Sequence, residues 1–190
     1  MQKFSLFPCE LLELKYEDFE NCNDLIKYIQ HHVEKYKYAY QQNVGEENVG
    51  KIYYTNFFTE VTDERIESCL NKFKQFICDS FKEFEIQCNI SNCWFAVYDK
   101  NAVHLPHIHS TDIGPKLGLH SPGQYSGILY LTSIGDTIFY SPNALSRDMT
   151  FNSQSTFGKV IIFPSQLIHS VGPHNQDVLR YVISFNMSLN

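Results

Sequence analysis

From residue 93 onwards the chain is cut into short β-forming runs separated by Gly, Pro, Asn and Asp, and this rhythm limits the fold more than any other feature. The runs are residues 93–98, 125–131, 137–140, 159–163, 167–171 and 178–187. Short strands with frequent turn signals predict a sandwich or jelly roll of antiparallel sheets. The last run alternates with period two. Arg180, Val182, Ser184 and Asn186 share one face, and Tyr181, Ile183 and Phe185 share the other. The second face is core. The first carries a charge, a hydroxyl and an amide in mid-strand, and a charge placed there needs a partner.

The first half reads as mixed α and β. Residues 6–14 predict an edge strand. Asn23 can cap a helix whose apolar stripe is Leu25, Ile26, Ile29, Val33 and Tyr36. Residues 41–50 are polar and turn-rich, a loop, and 51–58 predict a strand. Thr62 can cap a second helix with Ile66, Leu70, Phe73, Ile77 and Phe81 on one face. Both helices are expected to pack outside one sheet. No repeat or Pro/Gly/Ser linker divides the 190 residues, so one domain is expected. Within it, 1–90 would form an α/β support region and 91–190 a β core.

The net charge of −6 and the scattered basic residues exclude a polyphosphate-binding surface, so no nucleic-acid partner is expected. No apolar run approaches membrane-spanning length, and the first residues do not read as a signal peptide. The six cysteines form no Cys-x-x-Cys pair and sit largely in apolar segments. They read as reduced thiols of a cytoplasmic protein.

Chemistry concentrates in the histidines. His104, His107, His109, His120, His169 and His174 all lie in the second half, whereas His31 and His32 lie on the first helix. Residues i and i+2 of an extended segment point the same way, so His107 and His109 aim two imidazoles at one point. Imidazole suits Fe, Zn, Cu and Ni. His169 follows a Gly158 turn and an apolar run, and Arg180 comes 11 positions later. A dicarboxylate would give that Arg a bidentate partner.

Taken together, these pieces resemble the 2-oxoglutarate/Fe(II) dioxygenase superfamily. The likeness is greatest to small oxygenases of bacteria and phages that share a double-stranded β-helix with prolyl hydroxylases. Trp94-Phe95-Ala96-Val97-Tyr98-Asp99-Lys100 resembles the strand leading into the site, and His107-Ile108-His109 follows Trp94 by 13 positions. Ser126-Gly127-Ile128-Leu129-Tyr130-Leu131 resembles the family's Ser-Gly-Val-Tyr-Tyr-Leu strand. Residues 158–186 resemble its Gly-x-Leu-x-Leu-Phe-Pro-Ser…His-x-Val…Arg-x-x-Ile-Ser-Phe-Asn ending, and Leu6-Phe7-Pro8 fits its start.

The resemblance implies a jelly-roll core of double-stranded β-helix type, with Fe(II) on His107, His109 and His169. It implies 2-oxoglutarate paired with Arg180, helped by Tyr130 and Ser184. Tyr98 and Trp94 would lie along the pocket, with Tyr98 placed to meet the cofactor or the substrate. The implied reaction consumes O2 and hydroxylates an unactivated C–H bond of a small molecule or peptide. One departure matters: the superfamily's second ligand is usually Asp or Glu, and here His109 stands in that place. Asp112 and His120 are rivals to it. A cupin-like metal-binding protein, or a three-His dioxygenase without 2-oxoglutarate, is the competing class, and Arg180 separates the two.

Overall fold

The two-faced alternation of the last run decides how the layers stack. The structure is a computed structural model that describes residues 10–32, 52–56, 63–82, 84–109, 124–142 and 150–189. The elements run β1 (Leu12–Lys15), α1 (Phe19–His32), β2 (Ile52–Asn56), α2 (Glu64–Lys82), β3 (Cys88–Tyr98), β4 (His104–His107), β5 (Gln124–Tyr130), β6 (Thr137–Tyr140), β7 (Thr150–Asn152), β8 (Lys159–Pro164), β9 (His169–Val171) and β10 (Arg180–Leu189). They build a six-stranded sheet, β1-β8-β5-β10-β3-β2, and a four-stranded sheet, β4-β9-β6-β7. Every strand pairing is antiparallel.

Alternate residues of the large sheet serve two different cores. Tyr181, Ile183 and Phe185 of β10, with Phe95 and Val97 of β3, Leu129 of β5 and Val160 and Ile162 of β8, pack against α1 and α2. The helices contribute Leu25 and Ile29, and Ile66, Leu70, Phe73, Ile77 and Phe81, the stripes expected from the 3.6 period. Phe73 meets Phe185 edge-on at 5.5 Å. The intervening residues, Ala96, Tyr98, Ile128, Tyr130, Ile161, Phe163 and Val182, face the small sheet and join Phe139 and Val171. Each buried Leu, Ile, Val or Phe side chain contributes about 1.5–3 kcal/mol, so both layers hold the large sheet firmly.

Two glycines are required by contact. Gly127 lies opposite Phe185 in the β5–β10 register, and a Cβ there would stand 2.1 Å from the Phe185 ring. Gly158 has φ of +79°, and its Cβ would fall 2.5 Å from the Tyr16 carbonyl oxygen. That close approach lets Tyr16 N–H donate to the Gly158 carbonyl at 2.7 Å, tying the end of β1 to the start of β8.

Local details differ from the sequence reading. Asp18, not Asn23, caps α1, accepting from Asn21 N–H at 3.0 Å. The Asn21 side chain is buried instead, donating to Tyr16 Oη and to the Cys69 carbonyl. Asp63 caps α2, accepting from Arg65 N–H at 2.9 Å; Thr62 lies outside the described residues. Val33, Tyr36 and the 41–50 loop also lie outside them. β3 begins at Cys88, five residues before the expected start. Leu167 is not in a strand, because its N–H closes a turn onto the Pro164 carbonyl at 2.8 Å. The edge position of β1 is as expected, over Leu12–Lys15. No disulfide joins the five described cysteines. No described helix is long and apolar enough to cross a membrane.

Candidate metal centre

β4 and β9 bring the first two histidines together. His107 and His169 are direct partners across the antiparallel pair, so their side chains share a face. His109 lies just past β4. Its N–H donates to the Ser165 carbonyl at 2.9 Å, which continues the extended line and returns its ring to the same face. One ring nitrogen from each of His107, His109 and His169 lies within 4.8 Å of the others.

The hydrogen bonds of the other nitrogens set the tautomers. His107 Nδ1 donates to the Leu105 carbonyl at 2.8 Å, and His169 Nδ1 to the Leu167 carbonyl at 2.9 Å. A carbonyl can only accept, so Nδ1 carries the proton and Nε2 keeps its lone pair. His109 Nδ1 sits 2.9 Å from Ser126 Oγ and 3.2 Å from Asn186 Oδ1. Ser126 Oγ donates to Asn186 Oδ1 at 2.8 Å and lies 2.8 Å from Ser165 Oγ. Residues of β5 and β10 and the Ser165 turn thus orient this ring, as outer groups orient metal-binding imidazoles.

Burial keeps the rings neutral. Loss of solvent, reinforced by the neighbouring imidazoles, pulls His169 down to about 3. Burial, followed by the His107 charge, takes His109 to about 4, and burial also lowers His107. A fourth ring, His104, stacks on His107 with centroids 3.8 Å apart, and its Nδ1 is 3.5 Å from Tyr98 Oη. Burial and the same neighbours bring it to about 3. Neither spacing nor the resemblance gave His104 a role. Its stacking depends on the irregular register between His104 and His107, which no spacing rule reveals.

The rings open into a cavity of about 260 Å³ walled by Trp94, Ile128, Val171 and Val182. Tyr98, Ser184, Thr137 and Arg180 line it too. Arg180 is 1% exposed. Its Nη2 donates to Thr137 Oγ1 at 3.1 Å, while Nε and Nη1 have no partner among the described residues. The guanidinium stands 4.8 Å from the Tyr98 ring centre and 5.6 Å from that of Tyr130, within cation–π range. Tyr130 is fully buried, and its hydroxyl donates to Thr137 Oγ1 at 2.8 Å, so Thr137 receives both Tyr130 and Arg180. Burial is also the main cause of the raised Tyr130 pKa. Thr137, Ser126 and Asn186 are site residues the sequence did not single out for these contacts. His174 is buried with both ring nitrogens unpartnered among the described residues, beside Gly135, which also abuts Arg180. Asp112 and His120 lie outside the described residues.

The donor set fits a transition metal. Three neutral imidazoles present free Nε2 lone pairs, and the same cavity holds a buried cation with two donors unmet among the described residues.

No protein-family model matches the sequence, and no curated protein matches it at a significant level. Solved structures do match. A prolyl-4-hydroxylase of Pseudomonas putida superposes with a TM-score of 0.62 at 13% identity, over 96% of this chain and 93% of that one. The viral collagen prolyl hydroxylase of Paramecium bursaria Chlorella virus-1, solved as a 2-oxoglutarate complex, gives 0.58 at 12% identity, over 94% and 96%. HygX of Streptomyces hygroscopicus, solved with nickel and 2-oxoglutarate, gives 0.63 at 8% identity, over 95% and 83%. The chain thus shares its fold with 2-oxoglutarate/Fe(II) oxygenases, prolyl hydroxylases among them.

Proposed function

We propose that this protein is an Fe(II)- and 2-oxoglutarate-dependent oxygenase on a double-stranded β-helix core, hydroxylating a C–H bond of a small-molecule or peptide substrate. One observation carries the reading. Three imidazoles with free Nε2 atoms share a largely apolar cavity with a fully buried Arg180 whose Nε and Nη1 have no partner among the described residues. A metal needs the first group, and a carboxylate needs the second.

His107, His109 and His169 would hold the iron. Bound there, Fe(II) and 2-oxoglutarate supply the oxidising chemistry with O2, and 2-oxoglutarate leaves as succinate and CO2. Arg180 would pair with the distal carboxylate of 2-oxoglutarate. Thr137 fixes the guanidinium through Nη2, and Tyr130 fixes Thr137. That leaves Nε and Nη1 pre-aligned for the ligand. Ser184 lines the same space and offers a hydroxyl. Trp94, Ile128, Val171 and Val182 keep water from the reacting region. Ser126 and Asn186 hold the His109 ring in its ligating tautomer.

A cupin-like three-His site without 2-oxoglutarate is the second reading, favoured by the all-imidazole donor set. Arg180 argues against it, because such a site has no use for a buried, half-satisfied guanidinium. The test is succinate release from 2-oxoglutarate by the purified protein, with and without Fe(II), against pools of amino acids, peptides and small metabolites. Fe(II)-dependent succinate that rises with one pool is expected. Metal binding without 2-oxoglutarate binding or turnover would support the cupin-like reading instead.

A further inference from the structure

Among the described residues the cavity is short of negative charge. His107, His109 and His169 are neutral ligands, because each commits its Nδ1 proton elsewhere. A divalent ion on them would keep its full double charge. Arg180, 1% exposed, adds a third positive charge to the same cavity. No described carboxylate lines it, and four of the lining side chains are apolar. Like charges in such a low-dielectric space repel strongly.

His109 is not an incidental stand-in for a carboxylate. Its ring is seated against Ser126 Oγ and Asn186 Oδ1, which accept from an N–H. The ring also packs beside Trp94, whose ring centre lies 5.4 Å from that of His109. The surroundings are matched to imidazole.

From this charge balance we infer that the site holds its metal tightly only together with a dianionic 2-oxo acid, so that metal retention is conditional on the cosubstrate. The inference rests on the oxygenase reading. A 2-oxo dicarboxylate brings two negative charges, one to the ion and one to Arg180, and so offsets most of the excess. By linkage the effect is reciprocal: the dicarboxylate tightens the metal by the same factor as the metal tightens the dicarboxylate. An aspartate in place of His109 would supply one negative charge in advance and weaken this mutual dependence.

The experiment is titration of the metal-free protein with Mn(II), reading free Mn(II) by electron paramagnetic resonance, with and without saturating 2-oxoglutarate. We expect 2-oxoglutarate to tighten Mn(II) by about 10- to 100-fold, the upper part of usual coupling strengths. Calorimetric titration with 2-oxoglutarate, with and without Mn(II), should return the same factor. His109→Asp should bind Mn(II) more tightly than wild type without 2-oxoglutarate and show a smaller enhancement with it. If that variant does not fold, the two wild-type titrations decide alone. Equal Mn(II) affinity with and without 2-oxoglutarate, where 2-oxoglutarate itself binds, overturns the inference and leaves the oxygenase reading intact. So does Asp112→Asn weakening Mn(II) alone as much as His107→Ala, since a carboxylate would then complete the site. Binding of neither Mn(II) nor 2-oxoglutarate under any condition overturns the oxygenase reading itself.

Discussion

Arg180→Met should make the ligand-free protein more stable and the ligand-bound protein less so. The side chain is 1% exposed and, among the described residues, donates once to Thr137 and leaves Nε and Nη1 unmet. The change forfeits one hydrogen bond of roughly 1.5–3 kcal/mol and cation–π contact of about 0.5–2 kcal/mol. It removes the several-kcal/mol penalty of burying an unpaired cation. Replacing buried ionic groups by apolar ones of similar size has been neutral to stabilising by about 1–4 kcal/mol, and the missing counter-charge places this site inside that range. At about 2–4 °C per kcal/mol for a domain of this size, Tm should rise by several degrees. The opposite holds with 2-oxoglutarate present. Two charged hydrogen bonds to its carboxylate are worth about 1.5–3 kcal/mol each. Their loss weakens binding by roughly two to four decades at 1.4 kcal/mol per decade. Thermal unfolding of both proteins with Mn(II), over a 2-oxoglutarate series, reads both effects. Wild type should gain stability with ligand, and the variant should start higher and stay flat. A variant that starts lower than wild type would show that Arg180 is not an uncompensated buried cation, and one that responds to 2-oxoglutarate as wild type does would show that it is not the partner of 2-oxoglutarate.

Alanine at His107, His109 or His169 should abolish Mn(II) binding by calorimetry, while His120→Ala should keep it; loss of the metal in the last variant together with retention in His109→Ala would reassign the ligand. Gly127→Ala drives a methyl into the Phe185 ring, which a Cβ would approach to 2.1 Å, and should cost about 1–3 kcal/mol in denaturant unfolding. Relief by Phe185→Leu in the double variant would confirm the collision, and simple additivity would rule it out. Stability of the metal-free protein should fall with acid. His169 titrates near 6.5 when unfolded and at about 3 when folded, so between these values the unfolded chain binds more protons. The full stability is present above pH 6.5 and is lost towards pH 3, with a slope approaching about 1.4 kcal/mol per pH unit from this buried ring. His169→Gln should flatten the slope, and an unchanged slope would mean that other groups govern it.

Period-two and period-3.6 patterns carried most of the fold. The faces of β10 and the stripe of α2 were legible because burial, not local propensity, selects those residues. The helix caps were less so. Near α1 the sequence offers Asp18, Asn21 and Asn23, any of which can cap. Asp18 has the role because the Tyr16–Gly158 tie fixes where the chain leaves β1, and because Asn21 is drawn inward by Tyr16 and Cys69. β7 escaped notice since Thr150, Phe151 and Asn152 are all exposed and show no alternation. At the site, spacing paired His107 with His109, the family resemblance added His169 and Arg180, and the structure brings all four to one cavity. What spacing could not give was the set of hydrogen bonds. Asn186 was visible on the Arg180 face, but its contact with His109 depends on how β5, β10 and the Ser165 turn meet in space.

β4 is four residues long and, among the described residues, has a single strand neighbour, β9. Its register is broken between His104 and His107, Leu105 and Pro106 are exposed, and Pro106 has no N–H to contribute. An outer strand held so lightly peels away at small cost, well below the global unfolding free energy. His107 nevertheless faces His169 directly, so an ion held by the two would act as a rivet through the outermost described ladder of the small sheet. Loading therefore becomes a mechanical event. With the ion in place, the backbone amides of His107 and His109 exchange slowly with deuterium. Without it they exchange quickly, while the amides of β10, paired on both sides by β3 and β5, stay protected throughout.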